Sequence, residues 1–412
     1  MKTVETIKSV EEREAINNLN NKFKLHKTDF KVNQEGHVVI LKINDKGLDR
    51  IPADIKELVQ LEELDFRNRS SFGGNRNNIS KIENLETLSR LRILNLGYNQ
   101  IKKIEGLDKL SKLEELRLHE NNVFKIEGLD NLTGLKQIAL YNNHIKKFEG
   151  FENLAELMQI EISHNEIKTT KGLEGLSKLK KLYLVANKFK KIEGFDIIPQ
   201  LEVLYLGTQD IIKIEGLEEL KKLQDLEVSF CKIPKLENLD ALLQLKNLSI
   251  GQNKIKKIEG LENLSQLEWL ALYRNQITKI EGLEHLSKLK FLSIYENQIT
   301  KIEGLENLYQ LEQLIIFGNP IKEIECLENL SKLKTLNIDP HILNDDEQEL
   351  IKQGEKGIKE FIRLRKKRRI EGYIKEIELL KAQLNIKGLK LEEYQLIERK
   401  LDDIYKKIEK LK

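Results

Sequence analysis

Histidines and carboxylates are the side chains here that first suggest chemistry, because together they can bind a divalent metal. His119 and His164 come close to Glu115 and Glu161 in the sequence, but nothing in their spacing sets a common orientation. The sequence contains no HExxH, CxxC, nucleophile elbow or glycine-rich cofactor loop. We therefore expect no enzyme activity, no metal, no cofactor and no small-molecule substrate.

Aromatic residues in the C-terminal half suit binding better than catalysis. Trp269 and Phe291 share one offset in a repeated pattern, and Tyr273, Tyr295 and Phe317 share another. Tryptophan and tyrosine are enriched among the residues that contribute most to protein–protein binding. Such regular recurrence requires a repeated structural element that places these side chains next to one another.

The repeated element is visible as the phrase LxxLxL, which recurs every 22 residues from Leu91 to Leu333 in 12 copies. Looser copies at Leu61 and Val38 bring the total to 14. The spacing is wider between Leu61 and Leu91, which predicts an insertion near residues 68–75. A period of this length indicates a repeat architecture.

Each copy predicts a short strand followed by tight turns. In the copy LEWLALYRNQITKIEGLEHLSK, which begins at Leu267, the alternation Leu270-Ala271-Leu272 is typical of a strand. Gly282 predicts a position with positive φ. An asparagine recurs after each strand, and its amide can satisfy backbone groups at the bend. One copy cannot bury its apolar residues alone, so neighbouring copies must stack as a solenoid.

The signature LxxLxLxxNxI resembles that of leucine-rich repeat proteins. Its continuation IxxIEGLxxL resembles the 22-residue subclass found in the regulatory subunit of protein phosphatase 1. The resemblance implies a right-handed curved α/β solenoid over residues 37–342, with a concave parallel sheet and a convex side of turns and 3₁₀ segments. That family grips its catalytic subunit with aromatic and acidic residues of the concave face.

The third, fifth and seventh residues of each copy should point outward from the strand on the concave face. We expect a folded protein partner there. The predicted contact residues are Tyr205, Asp225, Glu227, Trp269, Tyr273, Arg274, Phe291, Tyr295, Ile315 and Phe317. The alternative is an aromatic ladder that only stabilises the sheet.

The two ends of the chain differ from the repeats. We expect a helical cap over residues 1–36, a capping helix with a basic run over 343–369, and a coiled coil or helical hairpin over 370–412. The hairpin would be intramolecular or would join two chains. The stretch QGEKGIKEFIRL resembles the post-repeat segment of Roco-type proteins, which implies a small GTPase as a partner. No GxxxxGK[ST] phosphate loop occurs in this chain.

The basic run RLRKKRR has three interpretations. It can be a solvated face of a long helix, a patch for nucleic acid or anionic lipid, or a docking site for a protein. Its charged residues are Arg363, Arg365, Lys366, Lys367, Arg368 and Arg369.

The composition bears on the kind of partner and on the compartment that the sequence predicts. The net charge of the 412 residues is +3, which argues against a global attraction to nucleic acid or membranes. The two cysteines, Cys231 and Cys326, do not form the disulfide caps of secreted leucine-rich repeat proteins, and no signal peptide is evident, so we expect a cytoplasmic protein. The sequence predicts a non-enzymatic interaction scaffold. The alternatives are a phosphatase regulatory subunit, a GTPase-associated adaptor, or a structural protein that acts through its tail.

Overall fold

The structure, a computed structural model, describes residues 4–68, 77–385 and 391–411. The predicted insertion near residues 68–75 therefore lies outside the described residues, apart from Asn68. The chain divides into two compact units. The first unit comprises Met1–Ile233 and Glu237–Leu245, and the second comprises Pro234–Leu236 and Lys246–Lys412. The sequence pattern runs through this division without a change of period.

The first unit contains nine parallel strands preceded by one antiparallel strand. Pairing is in register from copy to copy, so that Leu94 lies beside Leu116 and Leu116 beside Ile138. The strands are β1 (Phe30–Val32), β2 (Val38–Lys42), β3 (Glu63–Asp65), β4 (Ile93–Asn95), β5 (Glu115–Arg117), β6 (Gln137–Ala139), β7 (Gln159–Glu161), β8 (Lys181–Tyr183), β9 (Val203–Tyr205) and β10 (Asp225–Glu227). Short 3₁₀ segments span Val4–Thr6, Ala53–Glu57 and Phe195–Ile197.

A helix covers the N-terminal end of this unit. Helix α1 (Val10–Phe23) begins after Ser9, whose side chain accepts a hydrogen bond from the amide of Glu12. The Glu12 carboxylate is 1% exposed and accepts from the amide of Val38 at 2.9 Å. Its other oxygen lies 3.0 Å from Nδ1 of His37. The helix thus satisfies a backbone group at the start of β2, where no further repeat is present to do so.

The second unit contains five parallel strands that pair in the same register, together with a separate two-stranded pair. The five are β11 (Asn247–Ser249), β12 (Trp269–Ala271), β13 (Phe291–Ser293), β15 (Gln313–Ile315) and β17 (Thr335–Asn337). The pair is β14 (Lys301–Ile302) and β16 (Glu323–Ile324). Two 3₁₀ segments span Leu327–Asn329 and Pro340–Ile342, and three helices follow: α2 (Asp345–Lys352), α3 (Glu355–Leu384) and α4 (Leu391–Leu411).

The turns of each copy follow one scheme. After the strand, a residue at the eighth position adopts positive φ, as Arg274 does at 51°. Further along, consecutive i→i−3 hydrogen bonds join Leu110 to Leu107 and Leu113 to Leu110, each at 2.9 Å. The predicted glycine position is also confirmed. Gly106 has φ of 70°, and a Cβ there would lie 2.8 Å from the carbonyl oxygen of Ile82.

Helices α2 and α3 cover the C-terminal end of the second unit. Asn344 caps α2 and forms a capping box with Glu347, so two backbone amides of the first turn have side-chain partners. The helix ends before Gly354, whose φ of 68° separates it from α3. On α3, Ile358 and Phe361 are buried at 2% and 0% exposure. The predicted division at residues 369–370 falls within α3.

Helix α4 packs against the second half of α3. The seam contains Ile377, Leu380, Ile397, Leu401 and Ile404, each at most 8% exposed, with Tyr373, Leu384 and Ile408 against them. Tyr394 lies at helical spacing from Ile397 and Leu401 but is 41% exposed. Within the described residues, no helix is long and apolar enough to cross a lipid bilayer.

Candidate protein-interaction surface

The third-position aromatics of the second unit form a pair on the open face of the sheet. Register pairing places Trp269 of β12 directly beside Phe291 of β13. Their rings are 3.4 Å apart and inclined by 6°. Phe291 is 9% exposed, whereas Trp269 is 42% exposed. Phe291 covers one face of the indole, and a large part of the Trp269 side chain nevertheless remains in water.

The seventh-position aromatics form a second and longer stack. The rings of Tyr273 and Tyr295 are 5.0 Å apart, and those of Tyr295 and Phe317 are 4.8 Å apart, with inclinations of 3° and 6°. The stack leans towards the preceding strand. A Cβ at Gly251 would lie 2.3 Å from the Tyr273 ring, so the first ring lies over a residue without a side chain.

Small side chains lie between the two stacks. The fifth positions of β12 and β13 are Ala271 and Ser293, which are 5% and 3% exposed. Ile315 follows on β15 and is half-buried. The predicted patch of five aromatics is therefore two parallel stacks on either side of a row of small, covered residues. We refer to Trp269, Tyr273, Phe291, Tyr295 and Phe317 as the aromatic stacks.

An ion pair borders the seventh-position stack. Arg274 donates from Nε to Oε2 of Glu296 at 2.6 Å, between successive copies. The hydrogen bond to Glu296, followed by the charge of that carboxylate, raises the pKa of Arg274. Both side chains are more than 40% exposed, so this pair contributes little to stability. It gives the border of the stack one positive and one negative group.

Three predicted contact residues lie in the first unit and not with the aromatic stacks. Tyr205 donates from its hydroxyl to Oδ2 of Asp225 at 3.2 Å. Burial, reinforced by Asp225, raises the pKa of Tyr205 above its ordinary range. Burial also raises the pKa of Glu227. These residues form their own polar group on β9 and β10.

The arginines of the basic run contact carboxylates within the chain. Arg365 and Arg368 both bind Glu347, at 3.0 Å each. Arg369 binds Glu328 at 3.1 Å. Arg363 pairs with Glu360 at 2.6 Å, Lys367 lies 3.9 Å from Glu371, and Lys366 is half-buried. Arg365 and Arg368 thereby join α3 to α2, and Arg369 joins α3 to the 3₁₀ segment Leu327–Asn329 of the last repeat.

The two histidines that first suggest a metal, His119 and His164, occupy different positions in their copies. His119 lies at the seventh position after β5 and is buried, and His164 lies at the eighth position after β7 with φ of 55°. Among the described residues, no group of three or more histidine, cysteine, aspartate or glutamate side chains is placed to hold a metal ion.

Sequence reasoning missed a polar hollow on the first unit, over β5 to β7. Its residues include Arg117, His119, Ala139, Tyr141 and Glu161. The signal was present in the sequence as Ala139, a small residue at the fifth position between a cationic and an anionic neighbour.

Comparison with known proteins identifies the fold. A family model described as leucine-rich repeats (2 copies) matches residues 265–307. A Listeria monocytogenes internalin (inlF) structure has a TM-score of 0.54 at 24% identity, covering 81% of this chain and 96% of its own. The leucine-rich repeat protein LIC12759 of Leptospira interrogans has a TM-score of 0.66 at 24% identity, covering 76% of this chain and 81% of its own. No curated protein sequence matches.

The parallel-strand solenoid that the sequence predicts is therefore confirmed as a leucine-rich repeat fold. At these levels of identity the solved structures establish the fold alone. Leucine-rich repeats generally serve as protein-binding scaffolds, and their stacked strands present an extended surface to a partner. The comparisons do not extend to the phosphatase-subunit subclass or to the Roco-type segment.

Proposed function

We propose that this chain is a non-enzymatic scaffold that binds a folded protein through the aromatic stacks of its second unit. The observation that carries the proposal is the 42% exposure of Trp269, the one tryptophan of the chain. Large aromatic side chains at the centre of an interface supply much of its binding energy, because they bury a large area at low entropic cost.

A purely stabilising ladder explains only part of this arrangement. Phe291, covered at 9% exposure, behaves as a residue that stabilises the sheet by cross-strand contact. Trp269 gains less from its own sheet, because much of its indole is in water. The flat, rigid arrangement of the stacks lowers the entropy cost of binding, since few rotamers are lost on association.

The proposal includes two candidate classes of folded partner. The repeat phrase supports a protein phosphatase catalytic subunit, and the segment QGEKGIKEFIRL supports a small GTPase. Both cysteines are free thiols, which supports a cytoplasmic location. Binding of nucleic acid or membrane by the basic run is disfavoured, because Arg365, Arg368 and Arg369 contact carboxylates of the chain.

The test is affinity capture with the double variant Trp269→Ala/Tyr295→Ala. We expect a captured protein to bind the variant at least 10-fold more weakly, as truncation of hot-spot aromatics predicts. The matched control is Tyr309→Ala, which removes an aromatic that is 52% exposed but lies in the turn before β15. Circular dichroism and the unfolding midpoint establish that both variants fold.

Purified proteins then separate the alternatives. A phosphatase catalytic subunit and a Ras-like GTPase are each titrated against the wild-type chain and the double variant. Binding that is unchanged in the double variant contradicts the proposal. Binding that depends instead on residues 370–412 and disappears at high ionic strength indicates that the tail carries the function. A dimer that is lost on deleting residues 370–412 indicates that two copies of the chain associate through α3 and α4.

A further inference from the structure

The polar hollow of the first unit is a cavity of about 600 Å³ on the open face of β5 to β7. Register pairing aligns Arg117 with Ala139 and Ala139 with Glu161 in one fifth-position row. The methyl group of Ala139 leaves a gap that a longer side chain would fill. A volume of this size lies within the range of about 300–1,000 Å³ that is typical of small-molecule sites.

The charged side chains that line the hollow are balanced, with Arg67 and Arg117 against Glu115 and Glu161. Arg117 pairs with Glu115 through Nε and Oε1 at 2.5 Å, and Glu161 accepts from Nε2 of Gln159 through Oε1 at 2.6 Å. Since adjacent strands are about 4.8 Å apart, the backbones of Arg117 and Glu161 are separated by roughly 10 Å. Each charged group is held on its own strand, with the small residue between them.

Aromatic rings form the third side. The His119 ring stacks on Tyr141 with centroids 4.5 Å apart and meets the edge of Tyr98 at 5.2 Å. Burial, with smaller contributions from Arg117 and Arg67, lowers the pKa of His119 to about 4. The imidazole is therefore neutral at pH 7, and this side of the hollow offers flat, uncharged surface.

Buried nitrogens without a hydrogen bond lie beside the hollow. In the described part of the chain they include Asn95 Nδ2 and His119 Nδ1. Arg67 Nε also makes no hydrogen bond, but it lies 3.2 Å from Oδ2 of Asp65 in an ion pair. His119 and Arg67 line the hollow, whereas Asn95 is the neighbour of Arg117 on the preceding strand. Each buried polar atom without any partner costs about 1–3 kcal/mol.

We propose that this hollow binds a free α-amino acid. The carboxylate faces Arg117, the ammonium faces Glu161, and the side chain lies against Tyr141. The lining holds two arginines and two glutamates, so a zwitterion keeps their charges balanced, whereas a simple anion or a simple cation adds a charge without a counterpart. This proposal concerns the first unit and does not depend on the aromatic stacks of the second.

The experiment is isothermal titration of the full chain with each proteinogenic L-amino acid. For each amino acid that binds, the matched acid without the ammonium and the matched amine without the carboxylate follow. We expect both to bind at least 10-fold more weakly than the amino acid. Arg117→Gln and Glu161→Gln each reduce affinity at least 10-fold, and Ala139→Phe abolishes binding by filling the gap. The control Lys181→Gln, an exposed third-position residue on β8, leaves affinity unchanged.

Three results would overturn the proposal. The first is the absence of binding by every amino acid at millimolar concentration. The second is equal binding of the N-acetylated amino acid, which indicates recognition of a chain end rather than a free zwitterion. The third is stronger binding of a neutral monosaccharide. Circular dichroism establishes folding of each variant, and because three substitutions test the same cavity, loss of folding in one leaves two independent tests.

Discussion

Glycine at the seventh position decides where the neighbouring ring lies. A Cβ at Gly97 would come within 2.4 Å of the His119 imidazole, and a Cβ at Gly251 would come within 2.3 Å of the Tyr273 ring. In both copies the ring of the next repeat therefore leans over the glycine. At Gly97 this buries an imidazole beside two tyrosines, and at Gly251 it starts the stack of the second unit. One absent side chain thus sets the orientation of a candidate binding residue.

His119 makes a prediction about pH. Its pKa in the folded chain is about 4, below the ordinary value of 6.5, so the unfolded chain binds the proton more tightly. His119 therefore does not lower the free energy of unfolding above about pH 6.5. As the pH falls from there towards 4, the unfolding free energy decreases, because the unfolded chain takes up the proton first. We expect wild type to lose about 2–3 kcal/mol more than His119→Phe between about pH 7.5 and about pH 4.5.

Urea unfolding at the two pH values measures this difference. The phenylalanine variant keeps an aromatic ring against Tyr141 and removes the titrating group, so the contributions of the carboxylates cancel in the comparison. Equal losses of unfolding free energy in the two proteins would show that His119 takes up its proton as readily in the folded chain as in the unfolded chain.

The asparagine after each strand is the main polar component of the repeated element. Asn121 accepts from the amide of Ile101 at 2.9 Å, and its Nδ2 donates to the carbonyls of Leu96 and Leu118 at 3.0 Å each. The same bonds recur at Asn143, Asn165 and other copies. This confirms the role predicted from the sequence. In one copy Gln209 takes the place of the asparagine, and its Oε1 accepts from the backbone amide of Phe189 at 2.7 Å.

Removal of one such amide should be costly. Asn121→Ala leaves the amide of Ile101 and the carbonyls of Leu96 and Leu118 without partners in a buried bend, so we expect a loss of about 3 kcal/mol. The control Asn131→Ala removes an exposed amide that donates to Asp108 at 3.3 Å, and its effect should be within about 0.5 kcal/mol. Urea unfolding provides both values, and equal shifts would contradict the role of the column.

At the scale of the whole molecule, each unit has its own cap. In the first unit, the Glu12 carboxylate accepts a hydrogen bond from the amide of Val38 at the start of β2. In the second unit, Glu347 completes the capping box of α2 and binds Arg365 and Arg368 from α3. Both carboxylates are at most 5% exposed. Removal of one partner from such a buried group is strongly destabilising, because the remaining charges or donors are left without compensation.

The two caps should therefore stabilise different parts of the chain. We expect Glu12→Ala to increase hydrogen exchange chiefly in the strands β2 to β4, and Glu347→Ala chiefly in β15, β17 and α3, because each repeat contacts only its neighbours. Hydrogen exchange with mass spectrometry resolves these segments. Glu360→Ala, which removes an exposed partner of Arg363, serves as the control and should change neither region. Equal acceleration throughout the chain in both cap variants would contradict this expectation.

The sequence by itself determined the period, the strand in each copy, the buried leucines, the asparagine column and the positive φ of residues such as Gly106. The physical reason is that equivalent positions 22 residues apart become neighbours in space, as Leu94 and Leu116 do. The positive φ at the eighth position was not predicted, because residues as different as Tyr98 and Glu296 adopt it. At that position the geometry of the turn imposes a positive φ on residues that ordinarily prefer a negative φ.

Only the tertiary structure decided how the candidate sites are built. The aromatic stacks depend on the direction in which each ring leans, and the polar hollow depends on the pairings that Arg117 and Glu161 make on their own strands. In the basic run, Arg365 and Arg368 bind Glu347, which lies 18 and 21 residues before them, and Arg369 binds Glu328, which lies 41 residues before it. Such separations follow no period, so repeat spacing cannot reveal them. They are decided by how a long helix packs against the end of the repeats.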